Sequence, residues 1–264
     1  MKNRSLNKIK INFHFITLTF FTSPSFVIME YQEIIEKLES LKNPKNVEGM
    51  ARFGIRPKTK VFGIPIPELR KVAKLTGKNN ELALKLWDTK IHEAMILAGY
   101  IAEPEKITEK QFEKWVKGFD SWDVVDQVCS SVLDKTSFAR KKIFELANRK
   151  EEFVKRTAFT LICCLTVHDL PRLVKAGKKM LDKEFIKFFP LIKKASTDER
   201  NFVKKAVNWA LRQIGKRNKE LNKEAIKLAL QLRSGQTKSE KWIGGNALTE
   251  LTGEGVKKRL WNLK

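Results

Sequence analysis

The stretch Glu152-Phe153-Val154-Lys155-Arg156-Thr157-Ala158 returns in altered form as Asn201-Phe202-Val203-Lys204-Lys205-Ala206-Val207, 49 residues further on. A spacing of that size is close to the ~40–47 residues of a stacked helix pair. One helix pair cannot bury its apolar face alone, so such units stack side by side into a curved solenoid. The rest of the chain agrees. Amphipathic runs of helical length are expected at 30–42, 66–76, 79–88, 91–103, 108–118, 122–134, 138–149, 151–167, 170–181, 185–195, 199–215, 220–232, 238–251 and 255–262. The breaks between them hold Pro, Gly, Asp, Asn or Ser, the residues that end helices. Val61-Phe62-Gly63-Ile64-Pro65-Ile66 alternates briefly, but its two prolines and glycine make it a loop.

The expected fold is therefore all-α, a HEAT/ARM-like helical-repeat solenoid forming one domain over 29–264. Segment 1–28 has a charged start and a weak apolar run diluted by Asn12, His14, Thr17 and Thr19. It is too short to span a membrane. We read it as an unstructured extension upstream of a working start at Met29, with a secretory leader as the alternative.

Charge decides the class of partner. Lys and Arg number 53 against 30 Asp and Glu, a net charge of +23 with pI ≈ 9.9. A chain so cationic repels itself, which makes a polyanion its expected partner, here nucleic acid on a concave basic face. An anionic membrane surface and a merely Lys-rich solvated surface are the rival readings. Cys129, Cys163 and Cys164 lie in apolar surroundings, and the histidines His14, His92 and His168 are isolated. Neither disulfide framework nor metal site is expected, nor any cofactor, and the thiols read as core residues of a reducing, cytoplasmic compartment.

Three helices hold residues suited to chemistry. In 122–134, Val125, Val128, Cys129 and Val132 form the core stripe, with Asp120 or Ser121 as the N-cap. Trp122 and Asp126 stand four apart, stacked at the edge of that stripe. Asp126 is a full turn in from the cap, so its carboxylate is either bonded to a neighbouring helix or functional. The helix 151–167 is apolar nearly all round, yet carries Arg156 in its first turn. Arg156 either pairs with a carboxylate such as Asp126 or reaches a phosphate. In 199–215, Trp209 falls at the margin of the apolar arc beside Asn208, Lys205 and Arg212. An aromatic bordered by cations suits nucleotide contact, with core packing as the alternative. By the 49-residue offset, Lys205 takes the place of Arg156, so both face the same side of a solenoid.

The strings Ser121-Trp122-Asp123-Val124-Val125-Asp126, Lys155-Arg156-Thr157-Ala158 and Phe202 through Arg212 together resemble the AlkD-like DNA alkylation repair family. Met50-Ala51-Arg52-Phe53-Gly54-Ile55, Lys241-Trp242-Ile243-Gly244 and Ala247-Leu248 extend the resemblance from Met29 to the C-terminus. It implies a HEAT-like solenoid holding duplex DNA, and hydrolysis of the N-glycosidic bond of cationic N3- or N7-alkylpurines without a deep base pocket. Asp126 would be the catalytic carboxylate, Trp122 and Trp209 the aromatics against the deoxyribose, and Arg156 a backbone-binding arginine; Lys204, Lys205 and Arg212 are expected from the residues themselves to bind DNA with it. A monomer with no stable membrane association is expected. The characterised branch of the family has Trp-Trp-Asp where this chain has Ser121-Trp122-Asp123. That departure motivates two alternatives: a non-catalytic binder of DNA structures, and a HEAT-type scaffold for protein or RNA.

Overall fold

The computed structural model describes residues 29–168 and 180–262. The extension 1–28 and most of the helix expected at 170–181 fall outside the described residues.

Fifteen α-helices follow one another in the described residues: α1 Tyr31–Ser40, α2 Pro44–Met50, α3 Ile66–Thr76, α4 Asn80–Asp88, α5 His92–Ile101, α6 Glu109–Gly118, α7 Trp122–Ser131, α8 Ala139–Leu146, α9 Glu152–His168, α10 Asp182–Ile186, α11 Phe189–Ala195, α12 Asn201–Gly215, α13 Lys219–Arg233, α14 Lys238–Leu251 and α15 Glu254–Trp261. There is no named strand among the described residues, only an isolated bridge between Lys60 and Ile91. The caps follow the sequence. Asn43, Asn79, Thr108 and Asn218 each accept from the backbone N–H three residues on, and Thr237 with Glu240 forms a capping box.

Helices α5, α7, α9, α12 and α14 pack in succession, with α9 against α12 and α12 against both α13 and α14. The two copies of the repeated motif meet directly: the Phe153 and Phe202 rings stack with centroids 5.7 Å apart. Helix α9 is internal, burying Val154 and the run from Arg156 to Thr166. Cys129, Cys163 and Cys164 are buried free thiols, and burial pushes each well above the ordinary thiol range.

Three segments differ from expectation. Helix α2 has no buried residue, so no apolar stripe announces it; only Asn43 as cap and Pro44 at the first position mark its start. The helix expected at 185–195 is two, because Pro190 is tolerated only in a first turn and so opens α11. Helix α7 stops at Ser131 instead of 134. Ser130 and Ser131 turn their hydroxyls back onto the carbonyls of Asp126 and Gln127, Val132 leaves helical geometry, and Lys135 donates to the free carbonyls of Ser130 and Ser131.

The loop 61–66 is anchored by a buried carboxylate. Glu93 on α5 accepts from the backbone N–H of Phe62, Gly63 and Ile64 at 2.9, 2.6 and 3.2 Å. Gly63 holds φ +74°, and a Cβ there would lie 2.3 Å from the carbonyl oxygen of Asn43. Gly63→Ala is expected to cost on the order of 2 kcal/mol, through both left-handed backbone strain and that clash. Urea denaturation checks it; an unchanged midpoint would mean that the loop can shift freely.

Candidate nucleic-acid cleft

One cleft of about 1570 Å³ collects residues from the 51–58 segment and from α6, α7, α9, α12 and α14. Trp122, Asp126, Arg156, Lys205, Trp209 and Arg212 all line it, so six of the seven residues singled out from the sequence are brought together. Lys204 is not in the lining. Its ammonium sits 5.3 Å from the centroid of the Trp242 ring, and Trp242 does line the cleft.

Asp126 lies at the junction of three helices. Its Oδ1 and Oδ2 accept from Nη2 of Arg156 at 3.0 and 2.8 Å, and Oδ1 also accepts from the Thr160 hydroxyl at 3.1 Å. Nη1 of Arg156 donates to the Phe202 carbonyl at 2.7 Å, which ties α7 and α9 to α12. Of the two partners open to Arg156, the carboxylate is therefore the one it takes. The arginine is almost fully buried, and its Nε has no partner. The Asp126 side chain keeps 18% of its surface exposed, on the cleft. Burial pushes this carboxyl above the ordinary aspartate range, with Asp123 adding to the effect; Arg156 and Thr160 pull the other way without cancelling it.

The neighbouring carboxylates have other tasks. Burial also works upward on Asp123, but His92 at 2.8 Å and Ser121 outweigh it, so Asp123 titrates below the ordinary range. Burial works against a charged His92, yet Asp123 prevails and the imidazole is raised. Ser121 is the N-cap of α7 by position, although its hydroxyl serves Asp123 and no backbone N–H. Asp120 instead accepts from the backbone N–H of Lys58 and Thr59 at 2.8 and 3.1 Å.

Those two bonds, with the Trp122 indole N–H donating to the Phe53 carbonyl at 3.1 Å, dock the 51–58 segment as one wall of the cleft. Gly54, at φ +74°, brings this wall against Phe202, whose ring would lie 3.0 Å from an added Cβ. The wall contributes Arg52, Arg56 and Lys58, and Lys117 on α6 joins them; sequence reasoning gave none of the four a role. They and Lys205 are exposed and have no acidic partner among the described residues. Arg212 differs, since it and Lys216 both pair with Glu250. Trp242 and Asn246, one helical turn apart on α14, complete the far wall, and Asn246 accepts from the Asn208 amide at 2.6 Å. Trp242 was visible in the sequence as part of a motif, without a role. Trp209 is half-buried, packed against the core on one side and lining the cleft on the other. Among the described residues no group of His, Cys, Asp or Glu could hold a metal ion, and no helix is long and apolar enough to cross a membrane.

The architecture is that of a HEAT-like helical-repeat protein. A protein described as one of a new family related to the HEAT-like repeat DNA glycosylases, with affinity for branched DNA structures, has a similar fold: TM-score 0.70, 20% identity, covering 88% of this chain and 96% of that one. The profile of the DNA alkylation repair enzyme family matches residues 34–241, and the chain belongs to that family. Two curated relatives are uncharacterised: Lmo0209 of Listeria monocytogenes serovar 1/2a is 29% identical over 112 residues (41% of this chain, 50% of that protein). Lin0241 of Listeria innocua serovar 6a is 27% identical over 124 residues (44% and 55%). The chain thus spans about half the length of the curated relatives it matches.

Proposed function

We propose that this cleft receives duplex DNA and hydrolyses the N-glycosidic bond of cationic N3- or N7-alkylated purines. The observation that carries the reading is Asp126: a carboxylate open to the cleft, fixed by Arg156 and Thr160, sharing that space with the indoles of Trp122 and Trp209.

A purine alkylated at N3 or N7 already bears positive charge, so it departs without a strong general acid. The C1′–N9 bond breaks and its electron pair neutralises the base. The sugar is left with oxocarbenium character, which the Asp126 carboxylate offsets electrostatically. Water adds at C1′, and its proton passes to that carboxylate or to solvent. The two indoles pack against the deoxyribose, where cationic character develops. Arg52, Arg56, Lys58, Lys117 and Lys205 hold the phosphates, with Arg212 and Lys204 beside them. Arg156, its Nη donors already committed, acts through Asp126 by fixing the carboxylate's position.

Duplex DNA containing 7-methylguanine is the test, read as free base and abasic sites. Binding should weaken with salt at a log–log slope of roughly −4.5, from five unpaired cations at ~0.9 each. Steep salt dependence without base release, tightest on branched DNA, would instead favour the non-catalytic reading that Ser121 motivates. A flat salt response would remove DNA from the cleft altogether.

A further inference from the structure

Asn208 on α12 keeps only 2% of its surface exposed, and its Oδ1 is buried without a partner. Its Nδ2 donates to Oδ1 of Asn246 on α14 at 2.6 Å. Burying an amide oxygen unpaired is costly, and an apolar side chain of similar size would avoid that cost. What the buried amide secures is the orientation of Asn246. That residue is exposed and lines the cleft, and its oxygen is taken by Asn208, so its NH2 is the group left for a visitor.

The two walls of the cleft differ in charge. The 51–58 wall presents Arg52, Arg56 and Lys58, whereas α14 lines the cleft with Trp242 and Asn246 alone, both neutral. One turn beyond Asn246, Glu250 engages both Arg212 and Lys216, and the Lys204 ammonium sits against the Trp242 ring. One wall thus holds a polyanion by charge, and the other offers it a fixed, uncharged donor.

We propose that Asn246, oriented by Asn208, donates its NH2 to a phosphate or sugar oxygen of the bound nucleic acid and so positions the backbone on the far wall of the cleft. This rests on the reading that the cleft receives DNA. Those oxygens are acceptors, so they suit a group whose own acceptor is already committed and whose donors are free. Contacts of this kind fix the register and orientation of a duplex and read no sequence. An uncharged donor releases no counterion, so the affinity it adds persists when salt has weakened the cationic contacts.

The test reads binding of the full chain to an undamaged duplex by anisotropy, over a series of salt concentrations. Asn246→Ala should weaken binding about three- to tenfold at every salt concentration, the range of one neutral hydrogen bond. The log–log slope should stay where it is, whereas Lys205→Ala makes it shallower by roughly 0.9. Asn208→Ala should weaken binding to a similar extent, and on the Asn246→Ala background should cost nothing more, because its effect passes through Asn246. Asn246 is exposed, so its variant carries the test even if the buried Asn208→Ala folds poorly. Unchanged affinity in Asn246→Ala, or a loss that comes with a change of slope, overturns the neutral contact and leaves the DNA reading standing. Losses that add in the double variant overturn the orienting role of Asn208. Absence of binding by the wild type overturns both the contact and the DNA reading.

Discussion

Asp126→Asn is expected to reduce release of 7-methylguanine by about a hundred- to a thousandfold while leaving the fold intact. One well-placed electrostatic group in a partly desolvated site is worth roughly that factor. Asn keeps one acceptor oxygen for Arg156 and Thr160, and replaces the second, charged acceptor with an NH2 donor. Burial has raised the Asp126 carboxyl, so the native protein spends stability to ionise it. The linkage sign follows: a raised folded value contributes stability below the unfolded value of ordinary aspartate, and that contribution is lost as pH rises through the folded value. At neutral pH the amide relieves that cost and, against it, leaves the Arg156 charge buried without its counter-ion. The same shift makes a second expectation on this residue. The wild-type rate should fall on acidification at a higher pH than an unperturbed aspartate would give, and the variant's residual rate should lack that limb. Base release across pH 4–8 measures it. Release by the Asn variant at the wild-type rate would remove Asp126 from the chemistry.

Arg156→Ala is the change expected to damage stability most. It deprives Asp126 of its counter-ion and removes the side-chain donor that ties α9 to the Phe202 carbonyl, inside a junction where the arginine keeps almost no surface in water. Breaking a buried pair from one side costs about 3–5 kcal/mol, largely from the unpaired charge left behind. The double variant Asp126→Asn/Arg156→Met removes both charges and refills the volume, and should recover most of the loss. Urea denaturation of the single and double variants gives the coupling. A loss below about 1 kcal/mol for Arg156→Ala would mean that the pair is loose and that Asp126 is not held in place.

The helical stack was legible because burial leaves a period. Helices α9 and α12 advertise themselves by apolar stripes, and their 49-residue offset foretold that Phe153 and Phe202 occupy equivalent places; in the structure they touch. Trp122, Asp126 and Trp209 were found because each interrupts such a stripe at its edge. The opposite wall left no comparable trace. Lys58 meets Asp120 across 62 residues of sequence, and Phe53 meets Trp122 across 69. Such contacts follow from tertiary docking; the string Met50 to Ile55 entered only through the family resemblance, and its local pattern assigned it no place in the site. Helix α2 escaped for a related reason, since it buries nothing. The split at Pro190 was readable in principle, because a proline inside a helical run moves the boundary to its own first turn.

The indole of Trp122 has one proton to share, and it is already given to the main chain of Phe53. The Arg156 guanidinium already stands 6.0 Å from the centroid of this ring, drawn by its electron-rich face. A surface of that kind favours positive charge, so under the proposed reaction it responds to the cationic character that the deoxyribose develops.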